Sequence, residues 1–294
     1  MDNKLRIAFF GEDSFSTVIL NSLIKAGHEI CLVVTPYYDN VVYKRLELIC
    51  NRNGIRFYRT KKINSDQTAS VLKEANPQLC VISHFERLIK KQLLDIPPMG
   101  FINLHPSLLP EYRGMAPQHW PIINGESKTG VTVHYVDEGT DTGDIILQEE
   151  IELLPTDYVY DLQKKWLKIY EYIMVEAIDK ILSGAPTIKQ SHLKGLYYGK
   201  LKIEDCQIDL SRTTIEVMRL IQGVSRPYYG ARLNNHIIWN AHIASPSEIV
   251  LEFINKYEQG GVLLTSDGAI VIDTVSELSL IHISEPTRHA QISY

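Results

Sequence analysis

Short apolar runs alternate with segments of helical spacing through the first part of the chain. Residues 5–10 (LRIAFF) form an apolar run closed by Gly11. Phe15, Val18, Ile19 and Leu23 then recur at helical spacing until Gly27 supplies a helix stop. The alternation continues, with strands expected over 29–34, 55–58 and 79–83 and helices over 41–52 and 65–75 between them. Each strand–helix–strand step needs a crossover that lays the helix on a sheet face. The pattern therefore predicts an α/β fold with a doubly wound, mostly parallel sheet. In such sheets ligands lie beyond the carboxyl ends of the strands.

After Gly100 the pattern changes. Residues 101–105 are strand-like, 129–136 (TGVTVHYV) alternate with period two, and 158–182 read as one long helix between Pro155-Thr156-Asp157 and Ser183-Gly184. A helix over 213–222 and short β-like pieces over 231–233, 237–242, 261–264 and 269–274 follow. The expected organisation is a catalytic domain over 1–183, a connector over 184–202 and a small β-rich C-terminal domain over 203–277. A tail over 278–294 (ending SEPTRHAQISY) resembles translated adapter sequence and is expected to be non-native or disordered.

Composition narrows the classes. The 45% hydrophobic and 22% charged fractions suit a soluble globular chain, and no apolar run reaches the ~18 residues of a membrane span. The first apolar run is too short for a signal peptide, and Cys31, Cys50, Cys80 and Cys206 form no CxxC pair, so a cytoplasmic location with reduced, structural cysteines is expected. Net charge is −5, and the basic pairs Lys61-Lys62, Lys90-Lys91 and Lys164-Lys165 are not grouped, which disfavours a nucleic-acid partner. After the first strand the chain reads Gly11-Glu12-Asp13-Ser14, one glycine followed by two acids. This is neither a dinucleotide nor a Walker phosphate loop, because carboxylates at a helix N-terminus repel phosphate and serve the helix dipole instead.

The candidate chemistry lies in GFINLHPSLLPEYRGMAP, from Gly100 to Pro117, and in DEGTDTGDII downstream. Asn103 and His105 share one strand face, and Pro106 holds His105 extended. An asparagine amide can donate to a developing oxyanion, an imidazolium can do the same, and a carboxylate beside the ring would raise its pKa. Asp141 lies in a loop between Gly139 and Gly143, while Asp137, Glu138 and Asp144 are rival carboxylates that spacing does not reject. No Cys/His cluster has metal-ligand spacing, and no metal is expected.

The run Asn103-Leu104-His105-Pro106-Ser107-Leu108-Leu109-Pro110 with Tyr112-Arg113-Gly114, then Thr129-Gly130-Val131-Thr132 and Asp141-Thr142-Gly143-Asp144, resembles the formyltetrahydrofolate-dependent formyltransferase family. The likeness extends from Met1 to Thr274 in the family's order. It implies a Rossmann-like fold, a homodimer, N10-formyltetrahydrofolate as donor, and Asn103, His105 and Asp141 as the catalytic triad. It further implies that the pterin lies against Phe85, Arg87 and Leu88 and against Tyr135, Asp137 and Asp141.

Within that resemblance the acceptor is chosen by what is missing. The stretch after the second strand, Thr35-Pro36-Tyr37-Tyr38-Asp39-Asn40, lacks the basic, glycine-rich insertion of methionyl-tRNA formyltransferases. The acids after Gly11 and the presence of an appendage depart from glycinamide ribonucleotide transformylases. The expected acceptor is therefore the amine of a nucleotide-linked amino-dideoxysugar, such as dTDP-4-amino-4,6-dideoxyglucose or its 3-amino isomer, for surface polysaccharide. Arg113, Tyr38, Lys200 and Tyr229 are the expected substrate contacts. Methionyl-tRNA is the alternative acceptor, and a non-catalytic folate or nucleotide-sugar sensor is the third reading.

Overall fold

The computed structural model describes residues 4–37, 44–190, 195–244 and 261–277. In chain order the first elements are β1 (Arg6–Gly11), α1 (Ser14–Lys25), β2 (Glu29–Pro36), α2 (Lys44–Asn53), β3 (Phe57–Thr60), α3 (Asp66–Ala75), β4 (Leu79–Ser83), α4 (Lys91–Leu94) and β5 (Phe101–His105). Next come β6 (Arg113–Gly114), α5 (Trp120–Asn124), β7 (Lys128–Tyr135), β8 (Ile145–Glu152), α6 (Val159–Tyr170), α7 (Ile173–Leu182) and β9 (Tyr197–Tyr198). A short 3-10 turn (Glu204–Cys206), α8 (Thr214–Val224), β10 (Ala231–Leu233), β11 (His236–Ile243), β12 (Val262–Leu264) and β13 (Ala269–Glu277) follow among the described residues.

The chain forms two compact units: Met1–Gly114, Gly130–Ile151 and Lys165–Tyr197 in one, and Met115–Thr129, Glu152–Lys164 and Tyr198–Tyr294 in the other. The main sheet runs in the order β3-β2-β1-β4-β5-β7-β8. Its pairs from β3 to β5 are parallel and β7 is antiparallel to β5, as the strand–helix alternation predicts for the parallel part. Ala8 and Phe10 of β1, Leu32 and Val34 of β2, and Cys80 and Ile82 of β4 share one sheet face and pack with Leu72 and Ala75 of α3. Each such fully buried large side chain contributes roughly 1.5–3 kcal/mol. Helices α1 and α3 start on side-chain caps: Asp13 accepts from the Ser16 backbone N–H before α1, and Ser65 from that of Thr68 before α3.

The second unit holds an antiparallel sheet in the order β10-β11-β13-β12. Val217, Ile221 and Val224 of α8 pack with Ile238, Ala241, Ile270 and Ile272 from this sheet. Thr213 and Glu216 close a reciprocal capping box at the start of α8.

Three local expectations change. The long helix over 158–182 is two helices, α6 and α7, with Tyr172 between them at φ −139° and its hydroxyl donating to Glu149 Oε1 at 2.5 Å. No glycine or proline marks that break. The strand expected over 55–58 begins at Phe57, because the Ile55 N–H returns to Cys50 O and closes the end of α2. β8 escapes the pattern because Gln148, Glu149 and Glu150 interrupt its apolar residues, and its place at the sheet edge allows that. Among the described residues no helix is long and apolar enough to cross a membrane. The tail over 278–294 lies outside the described residues.

Candidate active site

The site grows from the ladder between β5 and β7. In this antiparallel register Asn103 stands opposite His134 and His105 opposite Thr132, while Leu104 points to the core opposite Val133. The Asn103 Nδ2 amide donates to His134 Nε2 at 3.2 Å. His134 Nδ1 lies 2.7 Å from the Tyr135 carbonyl, which can only accept, so the proton of the neutral ring sits on Nδ1 and Nε2 is the acceptor.

His105 is 4% exposed. Its Nε2 donates to the Tyr112 carbonyl at 2.8 Å, which leaves Nδ1 of the neutral ring facing Asp141 Oδ2 at 3.6 Å. The other carboxylate oxygen, Asp141 Oδ1, is 3.5 Å from His134 Nε2, and Oδ2 also accepts from the Gly114 N–H at 2.9 Å. Asp141 adopts a left-handed backbone, φ +53°, which for a residue with a side chain costs roughly 1–3 kcal/mol and persists where surrounding contacts hold it.

The loop after His105 is tied to β7 and β8. Thr132 Oγ1 donates to Ser107 O at 2.6 Å and accepts from the Leu109 N–H and from Gln148 Nε2, which also donates to Leu109 O. Ser107 Oγ donates to Glu111 O at 2.7 Å. These bonds pair the named polar groups of the SLLP segment with β7, β8 and the backbone of Glu111.

The rival carboxylates are engaged elsewhere. Asp137 Oδ1 accepts from the Gly139 N–H and from Thr142 Oγ1, folding its own loop. Asp144 Oδ2 accepts from Thr187 Oγ1, and Glu138 is exposed. The glycine at 143 is required by space: a Cβ there would stand 1.8 Å from the Tyr135 carbonyl oxygen.

Electrostatics within the cluster correct one expectation. Burial would raise the Asp141 carboxyl, but the charge of His105 in its protonated form, the neighbouring His134 ring and the Gly114 N–H outweigh it and hold Asp141 well below the usual carboxylate range. For His105 the balance falls the other way. Burial lowers its pKa, the Asp141 charge and the Tyr112 carbonyl oppose that, and His134 and His84 add to the lowering. The net direction is downward, so the resting ring is neutral beside an ionised carboxylate, where the sequence suggested a raised pKa.

The remaining sequence-predicted residues have varied surroundings. Phe85 packs edge-on against Phe10 at 5.7 Å, Arg87 is exposed, Leu88 is 67% exposed and Tyr135 is half-buried. Arg113, expected as a substrate contact, is buried, with Nη2 donating to Gln190 Oε1 at 2.7 Å. Its Nε is buried without a hydrogen-bond partner. Lys200 and Tyr229 belong to the second unit, where Tyr229 packs against the α8 core, and Tyr38 lies outside the described residues. Of the two acids after β1, Asp13 caps α1 as the sequence suggested, whereas Glu12 Oε1 accepts from the distant Glu86 N–H at 2.8 Å.

Among the polar residues of the site that escape the sequence reading are His134 and Gln190. The signal for His134 is present, since it shares a strand face with Thr132 in an otherwise apolar run, but its partner is set by register. Gln190 has no local signal. Among the described residues no group of three or more His, Cys, Asp or Glu side chains is arranged to hold a metal ion.

The family model described as Formyl transferase matches residues 5–178. The methionyl-tRNA formyltransferase of Pelotomaculum thermopropionicum is 32% identical over 293 residues, covering 94% of this chain and 91% of the relative. That of Bacillus velezensis is 32% identical over 278 residues, covering 91% of this chain and 88% of the relative. Among solved structures, the sugar 3N-formyl transferase WlaRD superposes with a TM-score of 0.72 at 22% identity, covering 94% of this chain and 98% of that one. The N-formyltransferase from Helicobacter canadensis does so with a TM-score of 0.74 at 22% identity, covering 92% and 100%.

These findings overturn the nucleotide-sugar acceptor expected from sequence. Relatives at 30–34% identity over most of the chain are methionyl-tRNA formyltransferases, whereas the sugar enzymes share 22% identity, a likeness of fold. The expectation leaned on the charge of one segment after β2, much of which lies outside the described residues. Charge on one loop does not choose an acceptor, because phosphate contacts can come from any element that follows the nucleic-acid backbone. On the matched family and the end-to-end likeness to its members, the chain belongs to the formyl transferase family and is a formyl-transferring enzyme.

Proposed function

We propose that this protein transfers the formyl group of 10-formyltetrahydrofolate to the amino group of methionyl-tRNA. The observation that carries the acceptor is the similarity to methionyl-tRNA formyltransferases through both compact units, at 32% identity over 94% of this chain. The folate donor is supported by fold relatives solved with 5-N-formyl-THF and with folinic acid.

In this reading Asn103, His105 and Asp141 do the chemistry. The neutral amine of the methionyl group attacks the formyl carbon, forming the new C–N bond and placing negative charge on the formyl oxygen. One Asn103 amide hydrogen is held by His134, and the other is left to donate to that oxyanion. The proton released by the attacking amine is taken up at His105 Nδ1, where ionised Asp141 stabilises the imidazolium that results. The bond from the formyl carbon to N10 then breaks, and N10 receives the proton as tetrahydrofolate departs.

The test is direct transfer. Purified protein with 10-formyltetrahydrofolate and methionyl-tRNA should give formyl-methionyl-tRNA with saturation in both substrates, and KM for the tRNA should rise with salt as phosphate contacts are screened. Folded protein that leaves methionyl-tRNA unformylated across low and moderate salt would overturn the acceptor.

A further inference from the structure

Gln190 follows α7, is 2% exposed and takes no part in the chemistry above, yet its whole amide is engaged. Oε1 accepts from Arg113 Nη2 at 2.7 Å, and Nε2 donates to Gly143 O at 2.6 Å and to Asp141 O at 3.2 Å. The orientation of this amide is settled by its partners, since a guanidinium only donates and carbonyls only accept. The Arg113 guanidinium lies 5.7 Å from the centre of the Tyr197 ring, and the Arg113 N–H donates to Leu196 O at 3.1 Å. The next residue, Gly114, supplies the N–H that binds Asp141 Oδ2. Asp141 is therefore gripped twice, through its carboxylate by Gly114 and through its own carbonyl by Gln190. Arg113 joins the two grips.

We infer that Arg113 and Gln190 are positioning residues: a buried bridge that holds Asp141 in its left-handed conformation and aims its carboxylate at His105. The bridge has a physical rationale. A cation hydrogen-bonded to the amide oxygen polarises the amide and strengthens donation by its N–H groups, and those groups fix the two carbonyls that flank Thr142. Asp141 reaches His105 over 3.6 Å, so a small backbone rotation would remove most of its effect on the ring. The Asx turn at Asp137 closes the loop locally but does not touch the Asp141 carbonyl. Gln190 does.

The inference rests on the role given to Asp141 above, and its test separates the two. The groups acting on His105 are Asp141, the Tyr112 carbonyl, His134 and His84, and of these Asp141 is the one that Gln190 binds. In histidine-labelled protein, Gln190→Met keeps the volume and removes both N–H donors. The NMR titration midpoint of His105 should then fall by about one pH unit, because the charge that favours its imidazolium is no longer aimed. With methionyl-tRNA as acceptor, kcat should fall about 10- to 100-fold with KM changed less than about twofold and the melting temperature nearly unchanged. Arg113→Met should match it, while Arg113→Lys, which still offers a donor to Oε1, should lose less than about fivefold. An unchanged His105 midpoint with unchanged kcat in folded Q190M overturns the bridge, as does an effect of R113M confined to KM, which would make Arg113 a substrate contact. Should Q190M not fold, the R113K and R113M pair carries the same readouts. Absence of methionyl-tRNA formylation by the unaltered protein would sink the acceptor, while the His105 titration, which needs no acceptor, would still judge the bridge.

Discussion

Asn103 on β5 and His134 on β7 face each other across the antiparallel ladder, and the Asn103 amide donates to His134 Nε2 over 3.2 Å. Since His134 Nδ1 is committed to the Tyr135 carbonyl, the ring is locked as an acceptor and the direction of the second amide hydrogen is set. Replacing His134 with Phe should free the amide to rotate. We expect kcat for formyl transfer to fall about tenfold with both KM values nearly constant, against a loss of about 100- to 1000-fold for Asn103→Ala. Steady-state kinetics of the two variants checks this, and an H134F enzyme as slow as N103A would mean that His134 acts on the substrate itself.

Asp141→Asn keeps size and removes charge. The Gly114 N–H can still be accepted, so the loop should persist, but a proton arriving on His105 would meet no carboxylate. Turnover should drop by about 100-fold or more, and the variant should still bind folate with near-normal affinity. Pre-steady-state formyl transfer together with folate fluorescence titration reads both quantities.

The pH profile should carry the same arrangement. Because burial lowers the His105 pKa, the neutral ring that takes up the amine proton persists to pH values below the ordinary histidine range. Activity should therefore hold through pH 6.5 and fail only on further acidification. Asp141 is a cause that opposes the lowering, so in D141N the residual activity should lose its acid limb at still lower pH. An acid limb above about 7 in the unaltered enzyme would contradict a neutral resting His105.

His119 on the second unit offers a stability test. It is 2% exposed, its Nδ1 donates to Gly223 O at 2.7 Å and its ring meets Tyr228 edge-on at 4.3 Å. Burial pulls its pKa from 6.5 down to about 4. Between those values the unfolded chain binds more protons than the folded one, so the stabilisation is complete above about pH 6.5 and is lost as pH falls towards 4. Its full size is roughly 3 kcal/mol. His119→Phe should lower stability at pH 7 by about 1 kcal/mol through the lost hydrogen bond, yet show a shallower decline between pH 6.5 and 4.5. Thermal unfolding across that range would show it.

Much of this protein was legible in its residues. Periodicity carries the parallel α/β alternation, the bounds of β4 and β5, and the placement of Asn103 and His105 on one strand face, because a two-residue repeat is a local property of the backbone. The motif around HPSLLP and DTGD carried the formyltransferase family, which the matched family model shows. What stayed hidden depends on contacts between residues distant in sequence. Register across β5 and β7 brings His134 to Asn103, and loop closure selects Asp141 from four nearby acids. Enclosure by Gln190 turns Arg113 inward, and burial reverses the expected shift of the His105 pKa. Local spacing states which side a residue faces. Only the packed tertiary structure decides what it meets there, because desolvation and hydrogen-bond partners are set by neighbours that the chain supplies from elsewhere.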